Sequence, residues 1–280
     1  MFIKIALAIG CVVFYSDSFA GISDIQASNS QITVQAISTN VDYTETDYGK
    51  YDGVTGILDT ESGKVPGYAV SISKMQDVWS RNDYFEAEYS HSYGSTSYVG
   101  GYVGPPPTPY GSVVATSGAA LINYSARYGQ GYDLNRVVML TPYAEIGFHE
   151  WDRGVNSGEI YTHYYFGIGA LGQYSPFKKL VVSLNAMLGT MTGAHIVVNS
   201  VPAAGFPGFN GDLPNSALYK VSLSADFRIT QNFHVNSGID YMSFKYNISD
   251  LYPVGGNYVA WEPDSETNYT TVKFGCGYSF

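Results

Sequence analysis

Charge is scarce in this 280-residue chain: Asp, Glu, Lys and Arg make up 14% of it, against about 25% in an average soluble domain. Cysteine is scarcer still, with two in the sequence, which excludes a small scaffold stapled by disulfides. Basic residues are few, 14 against 24 acidic ones for a formal charge of −10, so nucleic acid, which selects basic stripes, is not an expected partner. Long apolar runs are missing too. Without about 18 consecutive apolar residues, no helix of this chain crosses a bilayer. What is plentiful is aromatic and small: 26 Tyr, 14 Phe and 31 Gly, with 45% of the chain hydrophobic. That apolar content excludes disorder. A charge-poor, Tyr- and Gly-rich chain without long apolar runs points to a β-protein that meets lipid.

The N-terminus sets the compartment. In Met1–Ala20, Lys4 precedes an apolar stretch from Ile5 to Tyr15, and Ser18-Phe19-Ala20 places small residues where a signal peptidase reads. This is the pattern of a secretory signal peptide cleaved after Ala20, too short in its apolar part to span a bilayer. Cys11 does not fit a lipoprotein signal, because Ala8 stands where Leu is favoured and the apolar run continues through Val12-Val13-Phe14. Residues 21–280 are then expected to form one domain, retaining Cys276 alone. No internal disulfide is possible, so stability must come from sheet closure and lipid.

The clearest strand is the last. In Thr271–Phe280, Val272, Phe274, Cys276, Tyr278 and Phe280 alternate with Thr271, Lys273, Gly275, Gly277 and Ser279, the two-residue period of a strand. The same alternation runs through 219–228, 233–241, 140–148, 163–174, 182–189, 84–92 and 118–127, and more weakly through 32–43 and 67–75. That predicts ten strands, with eight or twelve as alternatives. Short connections fall near 76–82, 128–136, 175–179 and 230–232. Longer ones fall near 44–66, 94–112, 150–160, 191–216 and 247–268. Short turns at one end and long loops at the other are the rhythm of a transmembrane, antiparallel, up-and-down β-barrel, all-β in class. Lipid offers no water to backbone polar groups, so such a sheet must close on itself. Alternation alone does not say which face is inside; the signal peptide and abundant Tyr, which favours the membrane interface, argue against a soluble sandwich or lipocalin-like barrel.

The terminal strand, together with Leu140–Asp152 (LTPYAEIGFHEWD) and Glu262–Tyr278 (EPDSETNYTTVKFGCGY), resembles small opacity- or OmpA-like outer-membrane barrels of proteobacteria. The resemblance covers 31–280 as a strand pattern. It implies an outer-membrane location after export, with lipid and lipopolysaccharide around the wall. It also implies that Phe280, with Tyr278 and Phe274, is the signal read by the barrel-assembly machinery. It implies no cofactor, and leaves a possible extracellular ligand unspecified.

Candidate chemistry lies on the lumen side. Glu86, Glu88, Arg127, Glu145, Lys220, Asp226, Arg228, Asp240 and Lys273 share the polar face of their strands. In a narrow barrel such charges are expected to pair with one another, since an unpaired buried charge is costly; the alternative is a permeation path. His149 and His163 flank the 150–160 connection with the same inward parity, beside Glu150, Asp152 and Glu159. His149, His163 and Asp152 are therefore the rim candidates for metal binding or acid–base work. No metal motif such as HExxH occurs. Omptin proteases are also ten-stranded, with paired Asp residues opposite a His–Asp couple, but no stretch here matches their motifs, nor the Ser–His pair of lipid A deacylases. Tyr98–Gly104 leads into no helix and so makes no phosphate cradle, and Gly104–Tyr110 (GPPPTPY) reads as a stiff loop. The expected function is structural or surface-contacting and non-enzymatic, with a rim hydrolase or a narrow small-solute pore as alternatives.

Overall fold

The computed structural model describes residues 20–53, 55–101, 108–155, 158–201, 207–255 and 258–280, so Met1–Phe19 of the signal sequence and 104–107 of the Pro-rich loop lie outside it. Ten long strands form the wall: β1 Gln31–Tyr48, β2 Thr55–Gln76, β3 Asp83–Gly100, β4 Val113–Gln130 and β5 Val138–Arg153, then β6 Glu159–Phe177, β7 Leu180–Val198, β8 Ala217–Arg228, β9 Phe233–Tyr246 and β10 Asp264–Ser279. Each pairs antiparallel with the next, and β10 returns to β1 in a register running from Gln31 opposite Ser279 to Thr46 opposite Asp264. The sheet is a closed ten-stranded barrel. Its wall leaves no unpaired edge.

The strands outrun the sequence reading. Much of the chain assigned to long connections at 44–66, 94–112, 150–160 and 191–216 continues as strand. The reason lies in the outward face. Past the apolar belt it turns polar, with Asp42, Ser62, Lys64, Glu150 and Asp152, so the apolar period fades. The inward face stays buried through Tyr43, Tyr98, Trp151 and Tyr161.

The outer wall carries the large apolar side chains: Ile32, Val70, Ile72, Ile146, Phe166, Ile168, Leu184, Leu188, Leu223, Val272 and Phe274 are all exposed. Toward the long-loop end the belt finishes in a row of rings on adjacent strands. Their centroids lie 6.1 Å apart for Tyr68–Tyr89, 4.9 Å for Tyr89–Tyr124, 6.3 Å for Tyr124–Phe148 and 5.2 Å for Phe148–Tyr164. At the short-turn end Trp79, Phe85, Tyr128, Tyr174, Phe227, Phe233 and Tyr278 form a second exposed set. Two aromatic girdles around an apolar belt are what a barrel wall facing lipid requires. A soluble barrel would bury these groups.

The interior has two halves. Toward the short turns it is polar, with a cavity of about 250 Å³ lined by Ser, Asn and Gln side chains and by the lumen charges. A short helix, α1 (Ile22–Ser28), tucks into this mouth. Asp24 pairs with Arg228, Gln26 Nε2 donates to Asn82 Oδ1 at 2.8 Å, and Asn29 exchanges bonds with Gln173 at 2.6 and 2.9 Å. Toward the long loops the interior is filled by buried aromatic and aliphatic groups, among them Val41, Tyr43, Leu121, Trp151, Tyr161, Ile196, Phe244 and Tyr269.

Candidate functional site

Strand parity turns the lumen charges inward, and closure of the sheet brings them together. Arg127 lies between Glu86 (3.5 Å) and Glu145 (3.1 Å), and Lys220 reaches Glu145 at 2.8 Å. Lys273 holds Glu88 at 2.9 Å and Asp240 at 2.7 Å, while Asp226 faces His234 at 2.6 Å. The two carboxylates of Glu86-x-Glu88 thus go to different cations. The expected paired polar core is present, and every lumen charge read from the sequence takes part in it.

One layer higher, His149 and His163 stand directly opposite each other across the β5–β6 hairpin, ring centroids 5.0 Å apart. His149 contacts Asn123 Oδ1 at 2.7 Å and the Tyr269 hydroxyl at 3.2 Å, and His163 meets the Tyr246 hydroxyl at 2.8 Å. Their convergence matches the expectation; their position at a rim does not. Both are fully buried, and Trp151 and Arg153 lie beyond them along β5. Asp152 is removed from the pair altogether. Being one residue out of phase with Trp151 and Arg153, it points outward, exposed, opposite Ile160. Glu150 faces the same way. His91 sits outside too, its ring 6.0 Å from that of Tyr68. Among the described residues no group of three or more His, Cys, Asp or Glu side chains is arranged to hold a metal.

The most elaborate cluster was not visible in the sequence. Arg153, fully buried, donates from Nε to Glu61 (2.8 Å), from Nη1 to Glu159 (2.9 Å) and from Nη2 to Asp59 (3.3 Å). Its guanidinium also lies over the Tyr43 ring at 4.3 Å and the Trp151 ring at 5.1 Å. From the connection ahead of β10, Glu262 enters the same chamber and accepts the Tyr161 hydroxyl. Burial pushes the Glu262 carboxyl up to about 8. One signal could have found Arg153 and Glu159: Arg153 continues the inward parity of His149 and Trp151, and Glu159 that of His163 and Tyr161, past the point where the outward period fades.

A further histidine, His195, lies near the end of a long connection and has an acidic partner. His195 Nδ1 contacts Asp212 Oδ1 at 2.8 Å, across the pairing of β7 with a short strand at Phe209–Leu213. The pair is accessible at the long-loop end. Among the described residues, no side-chain hydroxyl or second carboxylate bonds to either side chain.

A closed, antiparallel, even-stranded barrel with an apolar belt between aromatic girdles has the architecture of the outer-membrane barrels. No protein-family model matches the chain, and no curated protein matches its sequence. Among solved structures the fold is similar to that of the outer membrane protease OmpT from Escherichia coli, with 11% identity, a TM-score of 0.63, and coverage of 90% of this chain and 96% of that one. Looser likenesses are the translocator domain of the autotransporter NalP from Neisseria meningitidis (13% identity, TM-score 0.42, 92% of each chain) and OprG from Pseudomonas aeruginosa (11% identity, TM-score 0.36, 90% and 98%). At these identities the likeness is one of fold.

Proposed function

We propose that the protein is a non-conducting barrel of the bacterial outer membrane whose long-loop end faces outward and serves a structural or surface-contact role. The observation that carries this reading is the filled upper lumen. Among the described residues, the Arg153 chamber and the aromatic layer around Trp151, Tyr161, Phe244 and Tyr269 fill the lumen between the polar cavity and the long-loop end. In this reading lipid and lipopolysaccharide contact the belt, export depends on a signal peptide that is cleaved after Ala20, and the barrel-assembly machinery reads Phe280, Tyr278 and Phe274. The finer affinity to opacity- or OmpA-like barrels rests on the strand rhythm and on the stretches 140–152 and 262–278.

The test is refolding into planar bilayers. The expected result is no steady single-channel current; reproducible ohmic steps would replace this reading with the pore. The exposed His195–Asp212 pair sets the comparison for an enzymatic reading. Peptide or lipid hydrolysis by refolded barrel that disappears in His195→Ala would establish that one instead.

A further inference from the structure

The connection between β9 and β10 is drawn onto the barrel mouth by its two ends. Ser249 N–H donates to the Glu262 carbonyl at 2.9 Å, and Glu262 N–H donates to Ser249 Oγ at 2.8 Å. Tyr51, from the β1–β2 connection, donates its hydroxyl to the Ser249 carbonyl at 3.0 Å, and its ring meets Trp261 edge-on at 5.6 Å. This clasp delivers one side chain inward. The Glu262 residue is 5% exposed, although it carries a carboxyl group.

Half of the groups facing that carboxyl are themselves carboxylates. They are Tyr43 and Glu45 from β1, Asp59 and Glu61 from β2, Arg153 from β5, Glu159 and Tyr161 from β6, and Tyr246 from β9. Among the described residues Arg153 is the single cation there, and its Nε, Nη1 and Nη2 already bond Glu61, Glu159 and Asp59. Glu262 is left with the Tyr161 hydroxyl as its donor. An ionised carboxylate taken from water needs a counter-charge or several donors; a neutral carboxyl needs far less.

We propose that the Ser249–Glu262 clasp is a proton-dependent closure of the barrel mouth, held while the Glu262 carboxyl is protonated and loosened when it ionises among Asp59, Glu61 and Glu159. The carboxyl titrates near 8 when closed, against 4.5 ordinarily. A raised value in the closed state means that closure is strongest below about 4.5, weakens as pH rises toward about 8, and changes little above that. The opening equilibrium then rises by up to about tenfold per pH unit inside that window.

Hydrogen exchange of the backbone amides at 248–250 and 261–262, in the full refolded barrel from pH 5 to pH 9, reads this directly. The ratio of wild-type to Glu262→Gln rates cancels the intrinsic pH dependence of exchange. It should be lowest, within a few-fold of one, at pH 5, climb at least tenfold further by pH 8, and then flatten. A ratio that stays constant with pH overturns the proposal. If Glu262→Gln yields no folded barrel, Glu159→Gln takes its place: removing one facing charge should move the wild-type step to lower pH, and an unmoved step is equally fatal.

Discussion

At the residue scale, Arg153 matters because its neighbours cannot be left alone. Removing one partner of a buried ion pair leaves an uncompensated charge and typically costs about 3–5 kcal/mol. Arg153→Ala would strand Asp59, Glu61 and Glu159 together. Urea unfolding in detergent should show a loss of that size, whereas a change below about 1 kcal/mol would mean the chamber takes in water and relaxes. Gly147 is a second sensitive point. It lies opposite Tyr165, whose ring covers it so closely that a Cβ there would collide with the phenol. Tyr165 in turn bonds Glu145 and Lys220. Gly147→Ala should therefore cost roughly 1–3 kcal/mol in the same assay, the usual penalty for overpacking, while Gly172→Ala, with room at its Cβ, serves as the neutral control.

At the scale of elements, the barrel depends on how β10 meets β1. Beyond the ladder itself, Phe280 N–H donates to Ser30 at 3.3 Å, and Lys74 reaches the Phe280 carbonyl at 3.0 Å and lies 4.5 Å from its ring. The aromatic residue is thus tied to β2 across the closing seam. Deleting Phe280 should lower the yield of folded, surface-exposed barrel; normal levels in a whole-cell labelling assay would show that the seam closes without it. Much of this was legible in the sequence, because the alternation in 271–280 marks the strand. The upper strand ends were not. There β2, β5 and β6 carry polar residues outward, and pairing with their neighbours together with the buried inward face keeps them extended.

For the whole molecule, charge is arranged by end. Acidic groups such as Asp42, Asp47, Glu150, Asp152, Asp212 and Asp250 gather toward the long loops, while Arg81, Arg136, Lys178 and Lys179 belong to the short turns. The formal −10 therefore describes chiefly the long-loop end and says little about the wall. A closed barrel with every wall strand paired on both sides resists detergent until heated. Unheated refolded protein should migrate faster in detergent gels than boiled protein, and should sediment with outer membranes. Recovery in the soluble periplasm would contradict the membrane reading.

The sequence by itself determined the barrel. Apolar alternation, scarce charge and the order of short and long connections are local properties, and a strand shows its two faces in its own residues. It also determined which charges point inward, because parity is local, and it put His149 and His163 on the same inward face. Only the tertiary structure decided what lies above and below them. Arg153 gathers Asp59, Glu61 and Glu159 from two other strands, α1 enters the opposite mouth, and the His149–His163 pair is buried beneath Trp151 and Arg153 instead of standing at a rim. Those outcomes depend on register and on closure of the sheet, which bring together residues that no short window of sequence contains.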